Sequence, residues 1–244
     1  MRQHKKHILV MMLVTFTIVG CGKKQDTMTT ESVVAESTVA KTEAVTTEET
    51  TESVTPIEEK NTKKIDGIIL DAAMNSLEIQ STDGIDLEFS TAEGVDTTGL
   101  KEGILIGNAI TVTYIGTVDG NNTSTTTVLK LSDSEIKPAL DREQLQFAAD
   151  VMLAVQLKNV PMLSEYVTYP VYVGLKDGMT IDTKEEFQKL DADTLFTPEL
   201  IEAVSHVNLF EIEEVKAGVV LGDGSPNITF DGKEDEYGIT GINY

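Results

Sequence analysis

The sequence predicts an α+β fold in which a small antiparallel β-barrel precedes helices packed on a second antiparallel sheet. Residues 63–134 hold about five short runs that alternate apolar and polar residues, with turn signals between them. Residues 136–244 begin with apolar residues at helical spacing and end in further alternating runs. Helices followed by an antiparallel sheet are typical of an α+β domain.

Turn signals between short alternating runs predict the strands of the barrel in the first region. Asp83-Gly84 is a strong hairpin signal, and Asp119-Gly120 marks a second turn. Five strands in about 70 residues favour a small closed barrel. The predicted strands are Ile65–Leu70, Leu77–Ile79, Ile85–Phe89, Ile110–Tyr114 and Thr125–Leu131.

With its glycine-led strand at Gly107–Tyr114, this region resembles the OB-like barrels of some secreted proteins of Gram-positive bacteria. Related barrels bind oligonucleotides through basic and aromatic faces. Residues 63–134 contain only two aromatic residues, Phe89 and Tyr114, and many acids. We therefore expect no nucleic-acid binding here.

The second region opens with a predicted helix over Leu140–Val155, with Pro138 in its first turn and Asn159 near its end. Thr183-Lys184-Glu185-Glu186 is a capping box, and Thr197-Pro198-Glu199 starts a further helix. The other predicted elements are a short helix at Val160–Val167 and strands at Tyr169–Val173, Val215–Leu221, Asn227–Phe230 and Tyr237–Ile242.

In this order of elements, residues 136–244 resemble the nuclear-transport-factor-two-like (SnoaL-like, cystatin-like) superfamily. The resemblance rests on the long first helix, Tyr169–Val173, the helices between Thr183 and Val207, and the closing strands. It implies a curved sheet wrapped round helices, which forms a cone with an apolar pocket. Members include isomerases, dehydratases and noncatalytic binding domains, and many dimerise, so a homodimer is expected to be possible.

The N-terminus predicts export. Arg2, Lys5 and Lys6 precede an apolar stretch over Ile8–Val19 that is too short to span a bilayer. Ile18-Val19-Gly20-Cys21 resembles a bacterial lipoprotein lipobox. The resemblance implies that residues 1–20 are removed, that the Cys21 thiol carries a diacylglycerol, and that the protein is anchored to the cell membrane, facing outside the cytoplasm. A chance cysteine behind an ordinary cleaved signal is the alternative.

Composition restricts the rest of the chain. Residues 21–62 form a Thr/Glu-rich tract with no aromatic residue, which predicts a disordered stalk behind the lipidated cysteine. Loss of three basic residues with the signal leaves 16 against 41 acids, so the formal charge changes from −22 to −25. Such a chain repels phosphate backbones. Cys21 is the single cysteine, which excludes disulfides and cysteine-rich zinc sites.

Three tyrosines around Pro170 are the candidate pocket residues: Tyr166, Tyr169 and Tyr172. In enzymes of the resembled superfamily, a tyrosine hydroxyl and an aspartate polarise a carbonyl and move a proton. The sequence aligns no aspartate onto that role. Packing of the three rings in the core and rim is the alternative to pocket lining.

The remaining candidates have simple structural explanations. His206, the one histidine left after removal of the signal, is either a general base or a cation at a helix end. The acidic loop Asp231–Glu236 is either a calcium site or a solvated hairpin loop, and its spacing does not match an EF-hand. We expect no catalytic residues, no metal and no cofactor.

These observations predict a noncatalytic, lipid-anchored envelope protein that binds a small molecule or an envelope protein. The alternative is an isomerase- or hydrolase-like enzyme that uses the pocket of the C-terminal cone. A substrate-binding lipoprotein of a transporter is the third hypothesis, and the absence of two strand-helix-strand lobes in the sequence disfavours it.

Overall fold

The computed structural model describes residues 61–175, 177–232 and 236–244, and it shows an α+β fold with two six-stranded sheets. The first sheet contains all the strands before residue 134. Alternating burial along these strands confirms the predicted pattern, as in Asp86–Ser90, where Leu87 and Phe89 are buried. The strands are β1 (Lys63–Ala73), β2 (Ser76–Ser81), β3 (Asp86–Ser90), β4 (Asp96–Gly99), β5 (Ala109–Ile115) and β6 (Thr127–Asp133).

The first sheet has the strand order β3-β2-β1-β5-β6-β4, so β3 and β4 are its two edges. These edges do not pair with each other, and the closed antiparallel barrel expected from the sequence is not formed by these pairings. The sheet is also mixed, because β4 pairs parallel to β6. It still encloses its own apolar core, whose largest buried side chains include Phe89, Ile79 and Leu131.

The second region contains five helices and six strands within the described residues. Its elements are α1 (Arg142–Gln156), α2 (Val160–Glu165), β7 (Val167–Val173), β8 (Met179–Ile181), α3 (Lys184–Phe187), α4 (Ala192–Leu195), α5 (Pro198–Ser205), β9 (Glu214–Val215), β10 (Gly218–Leu221), β11 (Asn227–Asp231) and β12 (Gly238–Asn243).

The second sheet has the order β8-β7-β12-β11-β10-β9. The first and last long strands of the region are neighbours, and β12 runs parallel to β7, so this sheet is mixed rather than wholly antiparallel. One face packs against the helices in a single core that contains Val151 of α1, Leu200 of α5 and Phe230 of β11. This packing holds the ends of α1 and α2 beside the sheet.

Capping residues explain where the helices begin. Asp141 accepts a hydrogen bond from the Gln144 amide at 2.8 Å, and the Gln144 side chain accepts one from the Asp141 amide. This capping box starts α1 at Arg142, so the prediction that Pro138 lies in its first turn is wrong. Thr183 caps α3 and Thr197 caps α5, as the sequence predicts. The second half of the capping box predicted at Thr183 is wrong, because the Glu186 side chain accepts from the Asp182 amide at 3.3 Å instead of the Thr183 amide.

The two sheets meet at β1 and β2. Ile68 faces the helix–sheet core, whereas its neighbour Ile69 faces the core of the first sheet, because successive side chains of a strand point to opposite faces. Gln80 is fully buried; its amide donates to the Val207 carbonyl at 3.0 Å, and its carbonyl oxygen accepts from the Leu209 amide at 2.7 Å. Both sheets therefore belong to one compact unit.

The predicted signal (residues 1–20), Cys21 and all but the last two residues of the predicted stalk lie outside the described residues. Within the described part, none of the helices combines the length and the apolar character needed to cross a bilayer.

Candidate functional site

A cleft of about 310 Å³ lies between α1, the end of α2 and the residue that precedes β12. We call it the α1–α2 cleft. The α1 residues in it recur every three or four positions, so they share one face of the helix. The cleft is lined by Arg142, Glu143, Gln146, Phe147, Asp150, Glu165, Tyr166 and Tyr237. Its volume is at the lower end of the range for small-molecule sites.

Asp150 and Tyr166 form the polar centre of this cleft. Asp150 lies in the middle of α1, and Tyr166 directly follows α2, which the Asn159 side chain starts by accepting from the Met162 amide at 3.0 Å. Burial raises the pKa of the Asp150 carboxyl, and the hydrogen bond from the Tyr166 hydroxyl opposes that rise in part. Burial and the nearby Asp150 charge raise the pKa of Tyr166. The tyrosine therefore acts as a donor to the carboxylate.

Aromatic rings form the apolar wall of the cleft. Phe147 meets Tyr166 edge-on at 5.6 Å between ring centroids, and it packs on the buried Phe230 at 4.8 Å. The ring centroids of Tyr237 and Phe147 lie 6.1 Å apart. These contacts pack the Phe147 ring against the sheet, where it forms the apolar wall of the cleft.

Arg142 supplies the cation of the cleft. Its guanidinium donates to the Gln146 side chain at 3.0 Å, one turn further along α1, and it forms an ion pair with Glu143. Glu165, at the opposite side, pairs with Lys184 of α3. The charged groups at the rim thus already have partners, and a ligand that uses Arg142 competes with Glu143.

Tyr237 closes one end of the cleft. Its hydroxyl lies 3.5 Å from the Asp141 carboxylate, and burial, followed by the Asp141 charge, raises its pKa. The group is therefore a neutral hydrogen-bond donor at neutral pH.

The three tyrosines predicted from the sequence lie in three different places. Tyr166 lines the α1–α2 cleft. Tyr169 packs edge-on against the buried Phe187, donates to the Ser164 carbonyl at 3.3 Å, and has a pKa raised to about 12, chiefly by burial. Tyr172 is 50% exposed on β7 and lies against Gly178.

His206 ends α5, away from the α1–α2 cleft. Its ring Nδ1 lies 2.9 Å from the Glu202 carbonyl, one turn earlier, and the side chain is exposed. This position matches the helix-end alternative. The acidic loop begins at Asp231, whose side chain accepts from the Gly232 amide, and residues 233–235 lie outside the described part. Among described residues, no group of three or more His, Cys, Asp or Glu side chains is arranged to hold a metal ion.

Sequence reasoning missed Asp150. One signal could have found it, because Asp150 is the single charged residue between Leu145 and Leu157. A lone acid in such an apolar helix costs desolvation free energy unless it is paired. Its partner, Tyr166, is 16 positions further along, and only the packing of α2 beside α1 brings the two together.

Comparisons of the chain with models of protein families, with curated proteins and with solved structures find no match.

Proposed function

We propose that this protein is a lipid-anchored envelope protein, exposed outside the cytoplasm, which binds a small polar molecule in the α1–α2 cleft without changing it chemically. The observation that carries the binding proposal is the Asp150–Tyr166 pair beside an aromatic wall. Phe147 offers an apolar face, and the carboxylate and Arg142 offer opposite charges within one small cleft. Ligand sites combine apolar surface with a few polar groups in this way.

The engagement of these groups with one another supports the noncatalytic interpretation. The Tyr166 hydroxyl donates to Asp150, and its raised pKa disfavours the phenolate that a base would require. Arg142 is paired with Glu143. The location is proposed from Ile18–Cys21, and the expected membrane contact is the lipid on Cys21.

The finer features of the fold are also proposals. The C-terminal region is proposed to be a cone of the nuclear-transport-factor-two-like type, supported by the single core that helices share with the second sheet. A homodimer of this region is part of the same proposal. The OB-like character of the first sheet is proposed on the evidence of its separate apolar core. Closure of the sheet does not contribute to this proposal, because the edge strands β3 and β4 do not pair with each other.

Native mass spectrometry of the full-length protein, purified with its lipid from its own host, tests the binding proposal. We expect an additional mass from a retained molecule and about tenfold weaker binding of that molecule to Tyr166→Phe, because the Asp150 carboxylate loses the hydroxyl that holds it in the cleft. Tyr172→Phe, which changes an exposed tyrosine elsewhere, is the matched control. A bare protein mass in every preparation would contradict the proposal, and the same spectra report monomer or dimer.

An isomerase- or hydrolase-like activity is the second candidate, and the raised pKa of Asp150 favours it. Burial makes this carboxylate a stronger proton acceptor than an exposed aspartate, as a general base requires. Asp150→Asn separates the two candidates, because an enzyme that loses its base retains unreacted substrate. For a hydrolase, the mass of that substrate differs from the mass of the molecule bound to the wild type; for an isomerase the two masses are equal, and NMR spectra of the released molecules distinguish the isomers. The same compound in both preparations, by mass and by NMR, would exclude this candidate.

A further inference from the structure

A second cavity lies in the C-terminal region, where residues at the start of β8 and around α4 line it. It has a volume of about 480 Å³ and shares no lining residue with the α1–α2 cleft. We call it the β8–α4 cavity. Leu175, Met179 and Leu190 are its large apolar lining residues, and Asp177, Asp191 and Asp193 line it as well.

The apolar floor is held in place by the core beneath it. Leu175 and Leu190 are partly buried against the helix–sheet core, so one side of each side chain is fixed while the other faces the cavity. Met179 begins β8, where it pairs with Val173, and it is 42% exposed. An exposed methionine beside two leucines is an adaptable apolar surface.

The wall at Gly178 requires a glycine. Its φ of +66° is left-handed, and its amide donates to the Leu175 carbonyl at 2.7 Å. A Cβ at this position would lie 2.6 Å from the Tyr172 hydroxyl. The left-handed turn at Gly178 therefore connects Leu175 and Met179, which both line the cavity.

One of the three acids of the cavity, Asp191, also has a structural role. Asp191 caps α4, and one of its carboxylate oxygens accepts from the Thr194 amide at 2.9 Å and from the Thr194 hydroxyl at 2.8 Å. These hydrogen bonds lower the pKa of Asp191, so the group stays ionised at neutral pH. The Asp193 amide contributes a further hydrogen bond to this carboxylate. Asp193 lies 3.8 Å from the Lys158 ammonium and is partly neutralised.

We propose that the β8–α4 cavity binds a small organic cation with an apolar body, such as a substituted ammonium compound. The apolar floor takes the body, and the Asp177 and Asp191 carboxylates face the cationic group. Both parts are required: an apolar molecule without charge leaves the carboxylates without a partner, and a bare cation gains little from exposed carboxylates alone. This site is independent of the function proposed for the α1–α2 cleft.

Methyl NMR of the full chain carrying Cys21→Ser, which removes the lipid, tests this proposal. Benzyltrimethylammonium is the probe. Three controls each lack one of its features: tetramethylammonium lacks the apolar ring, benzyl alcohol lacks the charge, and benzenesulfonate carries the opposite charge. We expect a saturable shift of the Met179 methyl signal with the probe, at least about tenfold weaker binding of each control, and no shift of Met74, which is 94% exposed in the β1–β2 turn.

Charge-matched variants separate a specific site from the general attraction of an acidic chain for cations. Asp177→Asn with Asp191→Asn should weaken probe binding about fivefold, and asparagine preserves the α4 cap. Asp71→Asn with Glu88→Gln removes the same charge from the first sheet and should leave binding unchanged. Equal weakening by both pairs, or a Met74 shift that tracks the Met179 shift, would overturn the proposal.

Discussion

The two sheets of this protein bury their apolar faces in different ways. The first sheet encloses its own core, without a helix, and all ten buried residues of that core come from its strands. The second sheet shares its core with α1–α5. Both the α1–α2 cleft and the β8–α4 cavity lie in the second region. Helices that end beside the second sheet leave these spaces between elements, whereas the first sheet buries its apolar face among its own strands.

The regions also differ in how they carry the acidic charge of the chain. In the first sheet, Asp71, Glu78 and Glu88 lie directly opposite one another across β1, β2 and β3. In the second, Asp141 and Asp191 cap helices, and Glu199 lies in the first turn of α5. Acids at helix starts stabilise the fold, whereas like charges opposite one another in a sheet destabilise it.

The largest expected effect tests whether the two regions unfold together. Phe89→Ala removes a fully buried ring from the first core, and Phe230→Ala removes one from the second. Each should lower the free energy of unfolding by about 3–5 kcal/mol, measured by urea denaturation. Because Ile68 and Gln80 join the regions, each variant should lower amide hydrogen-exchange protection in both sheets. Reduced protection confined to the mutated region would show that the sheets unfold independently.

Gln80→Ala should have an intermediate effect, since it removes the polar contact between the regions. The Leu209 amide and the Val207 carbonyl would lose their side-chain partner in a buried setting, at a cost of about 2–3 kcal/mol in the free energy of unfolding. Gln188→Ala, which removes a hydrogen bond to Ser164 within the second region from an exposed position, is the control and should cost under about 1 kcal/mol. An equal decrease in the free energy of unfolding for both variants would show that the Gln80 contacts between the two regions have no special effect on stability.

The smallest expected effect concerns Glu78. Burial, followed by the charges of Asp86, Glu88 and Asp71, raises its pKa above 4.5 in the folded protein. The folded state thus binds the proton more tightly than the unfolded state, so this group destabilises the fold at neutral pH and ceases to do so as the pH falls through the raised folded pKa. Glu78→Gln should stabilise the protein at pH 7 by under about 1 kcal/mol.

Denaturation curves at several pH values check this sign. The difference between Glu78→Gln and the wild type should disappear below about pH 4, where the glutamate is protonated in both states. Glu93→Gln, in an exposed loop of the same region, controls for the change in net charge. A stabilisation by Glu78→Gln that persists unchanged at low pH would show that its origin is not electrostatic.

The sequence alone determined the features that depend on near neighbours. The alternation in β2, β3 and β5, the helical spacing of α1 and the caps at Thr183 and Thr197 were all predicted, because side-chain period and capping act over two to four residues. The α+β class follows from the order of these elements. The polar strand β4, Asp96–Gly99, was missed because its residues do not alternate.

Only the tertiary structure decided which elements meet. Nothing in local periodicity states that β12 runs parallel to β7, that β3 and β4 remain edges, or that Tyr166 lies against Asp150. A strand pattern specifies which face is buried but not which strand lies beside it, and a charged residue in an apolar helix specifies the need for a partner but not its position. The candidate site depends on such distant pairings, and for that physical reason the sequence named Tyr166 without its carboxylate.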